Sequence, residues 1–173
     1  MRNKASRSRN VLLIGLDGAG KTTLLYKLKL GTAAPTPTFG LNLETIEYRD
    51  FKFAVWDIDG GDQNRLSASW WSHLKRVDAV IYVVDASNGS RLFEAAQVLR
   101  EHFELDELRD AKLLVLTNKQ DQPGCTPLEM IQETLNLGSV MKNPHRVEKA
   151  VVVEGEGVYE GLDWLCKAIV DTL

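Results

Sequence analysis

A glycine-rich segment near the N terminus ends in a lysine and a threonine: Gly15-Leu16-Asp17-Gly18-Ala19-Gly20-Lys21-Thr22. It satisfies the pattern G-x-x-x-x-G-K-[ST], in which glycines let the backbone curl so that successive N–H groups converge on a phosphate. An apolar run, Val11–Ile14, precedes it, and a helical pattern, Thr22–Leu30, follows it, so a helix N-terminus adds its positive dipole end. A glycine-rich turn with a lysine by chance is the alternative, and both flanks argue against it.

Within this phosphate loop, Gly15–Thr22, Lys21 is expected to reach the β- and γ-phosphates of a nucleotide. The Thr22 hydroxyl is expected to ligate Mg²⁺. The residues predicted to bind nucleotide here are Asp17, Gly18, Ala19, Gly20, Lys21, Thr22 and Thr23.

A second polar segment, Asn118-Lys119-Gln120-Asp121, follows the apolar run Leu113–Leu116 and matches the pattern N-K-x-D. A carboxylate at Asp121 can accept hydrogen bonds from the ring N–H and the exocyclic amine of guanine, whereas adenine offers no such pair of donors. The Lys119 stem can cover a face of the base, and Asn118 can tie this guanine loop to the phosphate loop. An ordinary polar turn looks similar in isolation, but together the two motifs predict a guanine nucleotide.

Two further segments supply candidate metal and γ-phosphate contacts. Asp57-Ile58-Asp59-Gly60 ends the predicted strand Phe51–Trp56 and matches D-x-x-G. We predict that Asp57 holds Mg²⁺ through water and that the Gly60 N–H meets the γ-phosphate. Thr38, between the first helix and the second strand, is the candidate second metal ligand, although threonines in loops are usually local caps.

The elements that must position these loops alternate between strands and helices, which predicts one α/β domain: a mainly parallel sheet with helices on both faces. Ligands of such sheets bind at the carboxyl ends of the strands, where the motifs fall. Predicted strands are Val11–Ile14, Leu41–Tyr48, Phe51–Trp56, Ala79–Val84, Lys112–Leu116 and Ala150–Val153. Predicted helices are Thr22–Leu30, Arg91–Phe103, one beginning at Pro127 and one that follows Gly157 and runs through Leu173.

Length and composition fit one globular domain. The chain has 173 residues, of which 44% are hydrophobic and 26% charged, and its net charge of −3 gives no drive toward nucleic acid. Cys125 and Cys166 are expected to be reduced thiols rather than a disulfide or zinc site. Residues 1–10 form a short basic tail before a domain of residues 11–173; we expect it to be solvated, with weak contact to acidic lipid as the alternative.

The strings GLDGAGKTT, TPTFGLNLETIEY, VWDIDGG, VVDAS, LTNKQD and YEGLDWL together resemble the Arf/Arl family of small GTPases, from Val11 to Leu173. The resemblance implies a three-layer P-loop GTPase fold with a six-stranded sheet, GTP/GDP exchange with Mg²⁺, and slow hydrolysis. It implies a monomer in the cytoplasm, partly at an intracellular membrane or cilium, acting in membrane or vesicle traffic or ciliary transport. Exchange factors, activating proteins and effectors would bind its switch regions, and the hairpin Leu41–Trp56 would shift register with nucleotide.

The sequence departs from the family where a glutamine usually orients the attacking water. Read without gaps, Gly61 occupies that position and Asp59 replaces a glycine. The segment between Trp56 and Val83 is about two residues longer than the resemblance leads us to expect, so an insertion lies within it. An early insertion makes Gln63 the catalytic candidate; a late one, which we favour, leaves Gly61 in place and no glutamine.

Three other departures concern the base, the effectors and the membrane. Val152 and Val153 stand where a small residue and a threonine usually contact the base through backbone N–H groups. Leu41, Trp56 and His73 fill an effector triad that is usually more aromatic, although His73 fits a solvated helix residue equally well. Arg2 excludes N-myristoylation, so either the chain lacks its first residues or it reaches membranes through partners.

Three function classes therefore compete. A hydrolysing GTPase switch is the first. A pseudo-GTPase that holds nucleotide and partners with negligible hydrolysis is the second, because of Gly61. A small-molecule or nucleoside kinase shares the phosphate loop, but the guanine loop argues against it.

Overall fold

The computed structural model describes residues 7–30, 41–58 and 76–171, with side chains at all of these positions except 30, 41–43 and 56–58. Within these ranges six strands form one sheet in the order β2-β3-β1-β4-β5-β6, and every pair of neighbours is parallel except β2 with β3. The strands are β1 Arg7–Gly15, β2 Leu41–Tyr48, β3 Phe51–Ile58, β4 Ala79–Asp85, β5 Lys112–Asn118 and β6 His145–Lys149.

Helices cover both faces of this sheet. They are α1 Lys21–Leu30, α2 Leu92–Phe103, α3 Leu128–Leu135, α4 Leu137–Val140 and α5 Val158–Val170. Along β1, Leu12 and Ile14 pack with residues of α2 and α3, whereas Val11 and Leu13 pack with residues of α1 and α5. The predicted α/β architecture, a mainly parallel sheet with helices on both faces, is confirmed. No helix among the described residues is long and apolar enough to cross a bilayer.

The two apolar runs at the centre of the sheet are continuous because both faces of their strands are covered. Every residue of Ala79–Val84 is at most 2% exposed, and all of β5 is buried. An alternating pattern would place polar side chains against one of the two helical layers, where no water could solvate them.

Two predicted strand limits are wrong. Residues 7–10, assigned to the basic tail, are the first part of β1, where Arg7 pairs with Phe51. The last strand is His145–Lys149 rather than Ala150–Val153. Because β6 lies at an edge and is largely exposed, it is polar, whereas Ala150–Val152 is apolar because it is buried in the following loop.

Candidate nucleotide-binding site

The loops that contain the motifs meet at one edge of the sheet. Gly15 ends β1 beside Val83 of β4, and Asp85 at the end of β4 pairs with Asn118 at the end of β5. In the sheet, β1 lies between β3 and β4, so the chain continues from β1 to strands on one side of it and then crosses to strands on the other side. A crevice outside the carboxyl ends at such a point is where open α/β sheets bind their ligands.

The phosphate loop is curled so tightly that side chains would not fit at two of its glycines. A Cβ at Gly15 would lie 2.3 Å from the carbonyl oxygen of Val83, and one at Gly20 would lie 2.3 Å from Asn118 Nδ2. Gly20 also has a φ of +110°, in the region that favours glycine. These glycines therefore let the loop lie close to Val83 of β4 and to Asn118. Loops of this kind present backbone N–H groups to a phosphate.

Lys21 lies inside this curl. Its side chain is 7% exposed, and Nζ donates hydrogen bonds to the carbonyl oxygens of Gly15 at 2.9 Å and Leu16 at 3.0 Å. Because α1 begins at Lys21, the positive end of the helix and the ammonium group face the same concave backbone. A tightly curled glycine loop that contains a buried cation and leads into a helix N-terminus fits a nucleotide polyphosphate.

The structure locates the other phosphate-loop residues without testing their contacts. Ala19 is buried, Asp17 and Gly18 are exposed, and Thr22 and Thr23 lie half-buried in the first turn of α1. Their contacts with phosphate, and the Mg²⁺ contact of Thr22, stay predictions.

The remaining predicted metal and catalytic residues can be placed only in part. Asp57 pairs with Leu13 in the β1–β3 register, and Leu13 lies two residues before the phosphate loop. The side chain of Asp57 is outside the described set. The effector positions Leu41 and Trp56 lie on β2 and β3 with the same restriction. Thr38, Gly60, Gly61, Gln63 and His73 lie outside the described residues, so the assignments for them stay predictions.

Asn118 connects three loops through one buried amide. Its Nδ2 donates to the carbonyl oxygen of Ala19 at 2.9 Å, and its Oδ1 accepts from the backbone N–H of Val152 at 3.0 Å. The residue is 5% exposed, so both hydrogen bonds are shielded from water. The phosphate loop, the guanine loop and the loop after β6 are thereby held at fixed distances from one another, as the sequence predicted for the first two.

Lys119 is anchored at both its backbone and its side chain. Its φ of +66° is unusual for a residue with a Cβ. The ammonium forms a 2.7 Å ion pair with Asp85, and the Cys125 thiol donates to the Lys119 carbonyl oxygen at 3.0 Å. Burial raises the pKa of Asp85, but hydrogen bonds from Lys119 and Ser87 outweigh it, so the pKa lies below its ordinary value. The carboxylate therefore stays charged and fixes the lysine stem beside the base site.

Asp121 lies on the surface, where its Oδ2 accepts from Gln122 Nε2 at 3.3 Å. A bound base is thus what would bury this carboxylate; it is not buried beforehand. The preceding Gln120 donates from Nε2 to both oxygens of Thr117 at 3.1 Å, which fixes the start of the turn. The assignment of Asp121 as the guanine reader stays a prediction.

The loop after β6 differs from expectation at Val152. Its N–H donates to Asn118, so in this structure the residue joins two loops, and a direct contact with the base stays a prediction. Val153 is 53% exposed, and its carbonyl oxygen accepts from Lys27 Nζ at 3.4 Å. A contact of the Val153 N–H with the base also stays a prediction.

Three residues at this site were not assigned a role from the sequence: Asp85, Arg91 and Cys125. Asp85 follows a buried strand at the same sheet edge as Asn118, and that position was the available signal. Arg91, which pairs with Asp17 at 2.8 Å, and Cys125 gave no signal, because their partners are distant in sequence or are backbone atoms.

Residues 1–169 match the model of the ADP-ribosylation factor family. The chain belongs to the Arf family. Proteins of the Arf family are small GTPases, and their ligand is guanine nucleotide. The structure is similar to that of the Arl6 BBS3 small GTPase from Trypanosoma brucei with the bound nucleotide analogue GppNp: the TM-score is 0.83 and the sequence identity 28%, over 95% of this chain and 98% of that chain. The candidate site therefore lies in an Arf-family GTPase switch fold.

Proposed function

We propose that this Arf-family chain is a molecular switch that binds GTP and GDP with Mg²⁺ at the crevice formed by the phosphate and guanine loops. The observation that supports it best is the Asn118 amide, which holds both loops in fixed relation. A ligand with a guanine at one end and phosphates at the other can use both loops at once. Neither half alone explains why a buried side chain should join them.

In this proposal Lys21 neutralises phosphate charge, and Thr22, Thr38 and Asp57 hold Mg²⁺. The metal would supply positive charge that offsets the negative charge of the phosphates. Thr22→Asn should weaken GTP binding more than GDP binding, because the GTP complex relies more on Mg²⁺. Equal loss for both nucleotides, titrated with and without Mg²⁺, would contradict this role.

Guanine selectivity should depend on Asp121. Replacing it by Asn should weaken GDP and GTP binding and shift preference toward xanthine nucleotides, whose extra carbonyl accepts from an amide. Competition between GDP and xanthosine diphosphate for a fluorescent nucleotide measures the shift. Unchanged guanine affinity in Asp121→Asn would show that another group reads the base.

Hydrolysis is proposed to be slow because Gly61 has no side chain with which to orient water. Losing a positioning group should reduce the rate by roughly 100-fold, or about 2.7 kcal/mol. Gly61→Gln should raise single-turnover hydrolysis, alone or with an activating protein, and Gln63→Ala should be nearly silent. A large loss in Gln63→Ala would instead make Gln63 the catalytic residue.

The second candidate function, a pseudo-GTPase with negligible hydrolysis, is favoured by the same Gly61. It predicts nucleotide binding of ordinary affinity, with no turnover that either substitution or an activating protein can restore.

For both candidate functions we place the chain in the cytoplasm as a monomer. Exchange factors and effectors would bind its switch regions, and any contact with an intracellular membrane or cilium would be peripheral. Membrane or vesicle traffic or ciliary transport is the process we propose for it.

A further inference from the structure

Arg91 is the last residue of the 3₁₀ turn that leads into α2, and its guanidinium reaches across to the phosphate loop. Nη2 donates to Asp17 Oδ1 at 2.8 Å, and Nη1 lies 3.4 Å from the Asp17 carbonyl oxygen. The same guanidinium donates to both carboxylate oxygens of Glu94, at 2.8 and 3.0 Å. Glu94 thereby orients the Arg91 guanidinium, and the guanidinium holds the phosphate loop at Asp17.

Asp17 presents a problem for any loop that binds phosphate. It lies two residues after Gly15 and four before Lys21, within the loop that curls around the ligand. The hydrogen bond from Arg91 is the main reason that the pKa of this carboxyl lies below its usual value. The side chain is therefore negatively charged near neutral pH, beside a site expected to hold further negative charge.

We propose that Arg91 is a positioning residue for nucleotide binding: it holds the Asp17 carboxylate against the start of α2 and offsets its charge. The inference rests on the proposed guanine-nucleotide function and adds a residue outside all of the motifs. Its distinctive consequence is an order of effects. Removing Arg91 alone should harm binding more than removing Arg91 and Asp17 together, because only the single variant leaves an unpaired carboxylate by the phosphates.

The test uses the full chain loaded with a fluorescent GDP analogue and measures the dissociation rate in excess GDP. Arg91→Ala should dissociate about tenfold faster than wild type, the effect expected of an unpaired charge near phosphate at partial solvent exposure. The double variant Asp17→Ala/Arg91→Ala keeps the backbone N–H of residue 17, the group through which this position would contact phosphate, and it should return most of the way to the wild-type rate. Arg91→Lys, which keeps the positive charge, should dissociate the GDP analogue more slowly than Arg91→Ala but faster than wild type.

Ionic strength separates a charge effect from loss of packing. If the carboxylate repels phosphate, the excess dissociation of Arg91→Ala should shrink as KCl is raised, because salt screens exposed charges. The matched control is Arg109→Ala, since Arg109 also pairs with a carboxylate three residues away, Asp106, but lies outside the site. This control should dissociate GDP at the wild-type rate.

The outcomes are distinct. A wild-type chain that binds no guanine nucleotide refutes the proposed function itself. A wild type that binds, with Arg91→Ala unchanged, overturns the inference alone. A fast Arg91→Ala that neither salt nor the added Asp17→Ala change corrects also overturns it, since Arg91 would then only support α2.

Discussion

The phosphate loop and the guanine loop are adjacent in space but obtain their shapes in different ways. The phosphate loop has side-chain bonds within itself: Lys21 donates to carbonyls five and six residues earlier, while glycines at 15 and 20 let the loop lie close to Val83 and Asn118. The guanine loop is shaped by side-chain bonds to distant segments. Asn118 reaches Ala19 across 99 residues, and Lys119 reaches Asp85 across 34.

The difference concerns when each loop is ready to bind. The Lys21 bonds close within the phosphate loop and need only the strand and helix beside it. A turn held by Asp85 and Ala19 exists only after β1, β4 and β5 have assembled, since each bond closes a long loop of chain. Phosphate recognition thus depends in part on bonds within its own loop, whereas base recognition depends on the folded sheet.

The strongest way to break the comparison is Gly20→Ala, because this glycine of the phosphate loop lies against Asn118 of the guanine loop. The new methyl group would meet Asn118 Nδ2 at 2.3 Å, at a φ of +110°. Asn118 cannot move aside without losing its bonds to Ala19 and Val152. Strain and a lost buried hydrogen bond together should cost about 3 kcal/mol, roughly a 100-fold loss of GDP affinity.

Gly18→Ala is the matched control, measured by the same titration with fluorescent GDP. Gly18 also has a positive φ, +73°, but a Cβ there would meet nothing within 4 Å. Within the protein only backbone strain is added, about 1 kcal/mol or fivefold in affinity. Equal losses in the two variants would mean that the Gly20–Asn118 contact does not matter, and that both loops are set by backbone alone.

A smaller effect is expected from Asp85→Asn, which tests the guanine loop alone. The amide can still accept a hydrogen bond, but the ion pair with Lys119 is lost. Because the lysine side chain is 35% exposed and the aspartate 21%, we expect only about 1 kcal/mol, or fivefold faster GDP dissociation. The phosphate loop should be unaffected, so affinity for inorganic pyrophosphate should not change. A parallel loss of pyrophosphate binding would show that the two loops are not separable.

The pH dependence of this pair has a defined sign. Since the folded-state pKa of Asp85 lies below the ordinary value of 3.8, its stabilisation is fully present above that pH. It is lost as the pH falls through the lower, folded-state pKa. The difference in unfolding free energy between wild type and Asp85→Asn should therefore be constant from neutral pH to about 5 and shrink below 3.8. A difference that already shrinks above pH 5 would contradict the depressed pKa.

The same contrast explains what the sequence could predict. The phosphate loop, its flanking strand and helix, and the doubly covered sheet all follow from local patterns: glycine spacing, apolar runs and helical periodicity. The predicted strand Ala150–Val153 failed because an apolar run reports burial and not conformation. The strand His145–Lys149 pairs with a neighbour on one side only, because it lies at the edge of the sheet. It is therefore largely exposed and polar, and no apolar run marks it.

The supports of the guanine loop could not be predicted for a related reason. The N-K-x-D pattern locates Asn118, Lys119 and Asp121. Nothing in it indicates that Asp85 or Cys125 holds Lys119 in place. Such pairs become visible only when the register of β4 against β5 is known, and that register aligns Asp85 with Asn118. A motif thus names the residues that face the ligand and omits the residues that orient them.

The smallest expected effect sharpens the comparison at a single hydrogen bond. The Cys125 thiol lies 3.0 Å from the carbonyl oxygen of Lys119 and 3.1 Å from that of Gln122, and it has one proton to donate. Because a thiol is a weak donor, Cys125→Ala should cost about 0.5 kcal/mol, seen as roughly twofold faster GDP dissociation. Cys125→Ser keeps a donor at the same position and should stay near the wild-type rate. If the alanine and serine variants dissociate GDP equally fast, the thiol only fills space. If the alanine variant is instead as weak as Asp85→Asn, the backbone of Lys119, with its φ of +66°, depends on this bond as much as on the ion pair.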